Sequence, residues 1–327
     1  MLAVFDGHND ALTTSDHALL ASGRPGGHLD LPRMRQGGVG GGIFSVFVAS
    51  EGEQEAPVEH EAAAARATAI AGRLLALERA GSVRVARGVG DLDAAFGADG
   101  PAVAVLHLEG AEPIDPALEA LELWYSAGLR SLGPVWSRPN AFGHGVPFVS
   151  PSSPDTGPGL TEAGFALARR CAELGIMLDV SHLNEAGFWD LAGLELGPIV
   201  ATHSGAHALC PTSRNLTDRQ LDAIGESGGL VGIVFACSFL RPDFADDADT
   251  PIDLIAEHAR YVADRIGVEH VALGSDYDGT TIPLGLGDVA GTPRLLDVLR
   301  TVGGFGEREL SRIAWENWRR VLGAWWR

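Results

Sequence analysis

Eight short apolar runs recur along this chain, with helical patterns between them. The runs are AVFDGHND (3–10), GGIFSVFVAS (41–50), AVAVLHLEG (102–110), LRSLGPVW (129–136), IMLDVSH (176–182), PIVATHS (198–204), LVGIVFACS (230–238) and HVALGSDYDG (270–279). Most are near-continuously apolar, the pattern of parallel strands buried on both faces. The clearest helix signal is the Ala-rich stretch from Glu59 to Ala80, closed by Gly81. Thr161 caps a helix reaching Leu174, with Gly175 beyond it, and Asn184 and Thr217 are N-caps for the next two. Residues 251–266 start with Pro251 in the first turn and stop at Gly267. In 307–323, Trp315, Trp318 and Val321 form an apolar stripe that reads as packing. Strands alternating with helices in this way predict an α/β fold, a single (β/α)8 TIM-type barrel over residues 1–327. A doubly wound open sheet is the rival, and it is weakened because no Gly-rich phosphate loop follows the first run. No linker or low-complexity block divides the chain.

Composition narrows the function classes. Apolar residues make up 46% and charged residues 20%, as in a soluble globular protein. Lys and Arg number 24 against 43 Asp and Glu, a formal charge of −19. An acidic chain with no basic cluster is a poor partner for nucleic acid or an anionic membrane. No apolar run reaches the ~18 residues of a membrane span. The start, MLAVFDGHND, has no basic segment and brings in Asp6, His8 and Asp10 at once, so it does not read as a signal peptide. Cys171, Cys210 and Cys237 are odd in number, far apart and not in a Cys-x-x-Cys pair. Neither a disulfide framework nor a thiolate metal site is expected, and a reducing cytoplasm is the expected location.

One segment breaks the rhythm. Residues 137–159, SRPNAFGHGVPFVSPSSPDTGPG, are rich in Pro, Gly and Ser and hold or adjoin Trp136, Phe142 and Phe148. A loop of this length inside a compact fold is usually functional, and this one reads as an ordered active-site lid.

The polar residues fall at the ends of the runs. The first closes on His8-Asn9-Asp10, the third on Glu109, the fifth on His182, the sixth on His203 and the eighth on Asp276 and Asp278. In a barrel the C-terminal strand ends build the active site. His8 and Asp10 are two apart and share a face of an extended strand. Each of these residues alone is better read as a hydrogen-bonded rim residue. Five metal-capable strand ends on one barrel face point instead to a metal centre with N and O donors, because a buried polar group without a partner costs about 2–7 kcal/mol. His107 points to the same face as Glu109, one layer deeper. His207 is placed in a loop, and His17, His28, His60, His258 and His270 read as structural.

On the stretches DGHND (6–10), HLDLPRMRQGGVGGGIFSVFV (28–48), LEGAEPI (108–114), GLTEAGFALARRCAELGIMLDVSH (159–182), THSGAHALCPTSRNLTD (202–218), GSDYDG (274–279) and ENWRRVL (316–322), the chain resembles the membrane (renal, microsomal) dipeptidases and their bacterial relatives, within the amidohydrolase superfamily. The resemblance implies a binuclear zinc site with two Zn²⁺ per chain, bridged by Glu109 and a water or hydroxide. His8 and Asp10 would ligate one zinc, and His182 and His203 the other. Arg214 would grip the C-terminal carboxylate of the substrate, with Asn215 and Trp136 beside it, and Asp276 would be the general acid and base. Many relatives end the fourth strand with Thr-His, where the His polarises the scissile carbonyl. Here the stretch reads Pro134-Val135-Trp136-Ser137, so His144 on the lid, or the metal alone, is left for that task.

The implied activity is hydrolysis of dipeptides, including ones with a C-terminal D-residue, by a homodimer of the family kind. A related amidohydrolase acting on N-acyl amino acids or lactams would keep the metal ligands and Asp276 but need not keep Arg214. A non-catalytic metal-binding relative is the third reading, and the intact ligand set argues against it. The membrane anchor of animal relatives does not transfer.

Overall fold

Every strand pairing in the computed structural model is parallel. The structure describes residues 2–52, 55–96 and 100–326. Its strands are Val4–Asn9 (β1), Val39–Phe47 (β2), Val83–Val85 (β3), Ala102–Glu109 (β4), Leu129–Gly133 (β5), Met177–Leu178 (β6), Val200–Ser204 (β7), Leu230–Ile233 (β8) and Val271–Leu273 (β9). The helices are Leu31–Gly37 (α1), His60–Arg79 (α2), Val89–Asp93 (α3), Glu119–Ala127 (α4), Glu162–Leu174 (α5), Glu185–Ala192 (α6), Asp218–Glu226 (α7), Cys237–Leu240 (α8), Asp253–Ile266 (α9), Thr292–Thr301 (α10), Glu307–Ser311 (α11) and Asn317–Trp325 (α12).

The strands form two curved sheets, β1-β2-β4-β5-β6 and β7-β8-β9. One parallel bridge joins them at each seam: Asp179 to Val200 between β6 and β7, and Asn9 to Tyr277 between β1 and the end of β9. The ring therefore closes as a (β/α)8 barrel, with the eight apolar runs as its staves. The extra strand β3 pairs with the start of β4, while β5 takes the end of β4. Its three residues were too few to stand out in the sequence. An apolar core fills the barrel and the layer beneath the helices, with Phe5, Ile43, Val105, Leu132, Val231 and Trp318 all within it.

The helix signals translate into observed caps. Thr161 accepts from the Gly164 amide, and Gly175 ends α5 in the left-handed conformation. Asn184 caps α6 through the Gly187 amide, and Thr217 pairs with Gln220 in a capping box on α7. The stretch expected as one helix over 307–323 is α11 and α12 joined by a π-helical turn at Arg312–Glu316. Among the described residues no helix is long and apolar enough to cross a membrane.

Candidate metal centre and active site

The C-terminal strand ends bring five donor side chains together, with the Glu109 carboxylate at the centre of the other four. His8 Nε2 lies 3.5 Å from Glu109 Oε2 and 3.8 Å from Asp10 Oδ2. On the other side, His182 Nε2 and His203 Nε2 lie 2.9 and 3.5 Å from Glu109 Oε1. The five side chains are all buried. They fall into two clusters that share Glu109, His8–Asp10–Glu109 and Glu109–His182–His203, while Asp276 joins His8 and His203 in a third.

The donors fit a pair of divalent cations. Both ring nitrogens of His8 and Asp10 Oδ1 are buried without a hydrogen-bond partner; ligation through His8 Nε2 and Asp10 relieves two of these three costly states. A carboxylate with one oxygen toward each cluster has the form of a bridge. His182 is held neutral, its pKa pulled to about 4 by burial first and then by the adjacent Arg214. Burial and the charge of His8 hold His203 well below the ordinary histidine range. Neutral imidazoles are the ligating form.

Residues behind the ligands orient them. The Thr202 hydroxyl donates to Asp179 Oδ2 at 2.6 Å, so its oxygen is left to accept from His203 Nδ1 at 2.8 Å. That fixes the tautomer with Nε2 free toward Glu109. Asp179 also accepts from the Ser181 and Thr202 amides and the Ser181 hydroxyl, and sits at a pKa of about 2, where these bonds and nearby His107 and His203 outweigh its burial. Ser137, the first residue of the loop, places its hydroxyl 2.8 Å from His182 Nδ1. Asp6 holds Ser275 through its amide and hydroxyl at 2.8 and 3.0 Å, fixing the residue before Asp276 against β1. None of Asp179, Thr202, Ser137 and Asp6 was a candidate from sequence: Asp179 and Thr202 lie within apolar runs, and Ser137 and Asp6 have their partners 45 and 269 residues away. His107 sits a layer below the ligands, its Nδ1 2.8 Å from Ser131 Oγ and its ring edge-on to His8.

Asp276 occupies a left-handed backbone, φ 60°, and so does Asp278, φ 70°. The turn is secured by Asp278, which accepts from Arg24 Nη1 at 2.5 Å and from the His28 amide at 2.6 Å. A Cβ at Gly279 would collide with carboxylate oxygens of Asp10 and Asp276, so only glycine lets this turn close over the centre. Burial first, with Asp10 and Glu109 adding to it against the pull of His8 and Arg214, raises the Asp276 carboxyl well above its usual range.

The other sequence candidates separate. Trp136 lines the cavity above the centre, its ring 5.6 Å from His182 and edge-on to Phe148. Arg214 is 2% exposed and packs against His182, His203 and Phe239, which line the cavity. It donates to Ser204 Oγ at 2.9 Å and the His203 carbonyl at 2.8 Å, with Nη2 3.3 Å from His182 Nε2 and its Nε unpartnered. Asn215 is not brought to the substrate space. Its amide is consumed by the Gly205 N–H, which it accepts, and by the Cys210 and Phe239 carbonyls, to which it donates. His144 is not brought there either, for the loop turns its ring to the Gly159 carbonyl at 3.1 Å. The loop is ordered as expected, with Arg138 buried against Glu112 and the Val48 carbonyl.

The cavity measures about 990 Å³, with Asp10, Glu109, His182, His203 and Asp276 in its lining. Phe47, Trp136, Phe148 and Phe239 give it an aromatic wall.

The profile of the membrane dipeptidase family, peptidase family M19, matches residues 1–325. A metallo peptidase from Rhodobacter sphaeroides, solved with a phosphinate mimic of the dipeptide L-Ala-D-Ala, superposes with a TM-score of 0.94 at 46% identity, covering 99% of each chain. The metallo peptidase called dipeptidase AC superposes equally well, TM-score 0.94 at 48% identity and the same coverage. An uncharacterized protein in the pqqA 5' region of Klebsiella pneumoniae is 51% identical over 222 residues, 68% of this chain and 82% of its own length.

Proposed function

This chain belongs to the membrane dipeptidase family, peptidase family M19, and from that footing we propose that it hydrolyses dipeptides at a two-cation centre built on His8, Asp10, Glu109, His182 and His203. The observation that carries the reading is the convergence of these donors on the two oxygens of Glu109, with the Asp276 carboxyl facing them across the cavity floor. The nitrogen and oxygen donor set suits zinc. A pair of such cations supplies Lewis-acid polarisation of the scissile carbonyl and lowers the pKa of the attacking water.

The remaining work falls to the protein's own groups. Asp276 takes the proton of the attacking water and delivers one to the leaving amine, which cannot depart as an anion. Arg214 receives the free C-terminal carboxylate. Support comes from a buried guanidinium beside His182 and His203, with an unpartnered Nε and no carboxylate in ion-pair contact among the described residues. Burial lowers its pKa to about 10, which leaves it charged at neutral pH. The aromatic wall of Trp136 and Phe148 covers the bond being cleaved and keeps bulk water out.

The test pairs metal analysis with a substrate panel. Purified protein should carry two divalent ions per chain and cleave L,L and L,D dipeptides, the latter suggested by the ligand in the R. sphaeroides relative. Dipeptide amides should be poor substrates. Equal cleavage of acids and amides would move the reading to a broader amidohydrolase that acts on N-acyl amino acids or lactams.

A further inference from the structure

One wall of the cavity is a stripe of α2. Arg66, Ala69, Ile70 and Arg73, at helix positions i, i+3, i+4 and i+7, all line the cavity. The face that α2 buries is Ala63, Ala67, Ile70, Ala71 and Leu74, so the two guanidinium groups stand at its solvent-facing edge, with the exposed Ala69 leaving space between them.

Their surroundings differ. Arg66 donates to the Ala49 carbonyl at 3.1 Å and is ion-paired with Glu51. Arg73 is half-buried and makes one hydrogen bond, from Nη1 to the Leu12 carbonyl at 2.6 Å. That bond holds the group in place two residues beyond Asp10 and leaves its charge unanswered, since no carboxylate among the described residues pairs with it. The chain does not lack acids, with 43 Asp and Glu against 24 Lys and Arg. Elsewhere on the wall Asp278 is ion-paired with Arg24, and Asp246 accepts from the Thr281 hydroxyl at 3.0 Å.

Arg214 packs against His182 and His203, while Arg73 packs against the loop that carries Asp10. A dipeptide with its C-terminal carboxylate toward Arg214 and its peptide bond over Glu109 extends its N-terminal residue toward α2. We propose that Arg73 reads an acidic side chain on that N-terminal residue, so that the preferred substrates are dipeptides beginning with Glu or Asp. The planar fork of arginine suits bidentate pairing with a carboxylate. This inference rests on the dipeptidase reading above.

The experiment compares Glu-Ala with its isostere Gln-Ala, and adds Ala-Glu, Lys-Ala and Ala-Ala, on the metal-loaded enzyme. The parent should favour Glu-Ala over Gln-Ala in kcat/KM by about tenfold or more, chiefly through KM, with Lys-Ala poorest. In Arg73→Gln the Glu-Ala to Gln-Ala ratio should fall to near one, and Arg73→Lys should restore part of it. Arg66→Gln should lower the ratio less, because Glu51 already answers that charge. Turnover of Ala-Ala shows that each variant is folded, and if Arg73→Gln fails this control the Arg73→Lys ratio decides. A parent that cleaves Gln-Ala as well as Glu-Ala, a variant that keeps the ratio, or a preference seen on Ala-Glu instead would overturn the proposal. A parent that turns over Ala-Ala without any acidic preference fails only this inference, whereas a metal-loaded parent inactive on every dipeptide fails the underlying reading.

Discussion

On the β6–β7 bank of the metal centre, both histidines have their second ring nitrogen engaged, His203 by Thr202 and His182 by Ser137. On the β1 bank, His8 has neither nitrogen bonded, and Asp10 Oδ1 is also without a partner. The His8 ring is placed by its strand and by stacking on His203 at 3.8 Å between centroids. One bank is therefore oriented by hydrogen bonds before any ion arrives, and the other relies on the ion for its polar satisfaction. The Glu109–His182–His203 half should bind its cation more tightly, and the His8–Asp10 half should fill second.

The harshest way to break this comparison is to remove what the banks share. Glu109→Gln should lose both ions and bring hydrolysis to background, and metal analysis showing full occupancy would remove Glu109 as a bridge. Asp276→Asn tests a group outside both banks: kcat should fall by about 10²–10⁴-fold with two ions retained. Near-parental turnover would take Asp276 out of the chemistry. Thr202→Val sharpens the contrast directly. It should weaken one of two sequential cation affinities by about 10–100-fold and leave the other in place, as read by competitive chelator titration. Equal weakening of both steps would show that the banks are not independent. A test independent of both banks lies away from the centre, at His258. Its Nδ1 accepts from the Ala206 amide and its Nε2 faces the Leu240 carbonyl, and burial lowers its pKa to about 4. The unfolded chain protonates this ring first as pH falls from 6.5, so stability is lost between pH 6.5 and about 4, by on the order of 3 kcal/mol. His258→Asn should flatten denaturant midpoints across that window, and an unchanged slope would assign the acid sensitivity elsewhere.

The barrel was legible in the sequence because it is written in local signals. Apolar runs, caps such as Thr161 and Asn184, and stops such as Gly175 act within a few residues. The clustering of the candidate ligands was legible because a barrel sends every strand end to one face, so chemistry-bearing residues that close apolar runs must meet. What failed to show depends on distant partners. Ser137 finds its role 45 residues away on His182, and Asp6 finds its own 269 residues away on Ser275. Asn215 and His144 were polar residues near the right motifs, but turn geometry used up their hydrogen-bonding groups locally. Arg66 and Arg73 passed as ordinary helix formers in an Ala-rich helix until the fold showed which stripe of α2 faces the cavity.

The two single-bridge seams have a mechanical consequence. The barrel is a clasp of two jaws, five strands and three, and the catalytic floor lies across the gap. Of the two proposed cation sites, His8–Asp10–Glu109 draws only on residues from one jaw, whereas Glu109–His182–His203 draws His203 from the other. A cation in the second site is a rivet through both jaws, and any ion that favours the closed form adds to its stability by mass action. Amide exchange at Val180 and Val200, beside the β6–β7 seam, should therefore slow when that site fills and should respond little to the first site. The active site would then double as the catch that keeps the barrel shut.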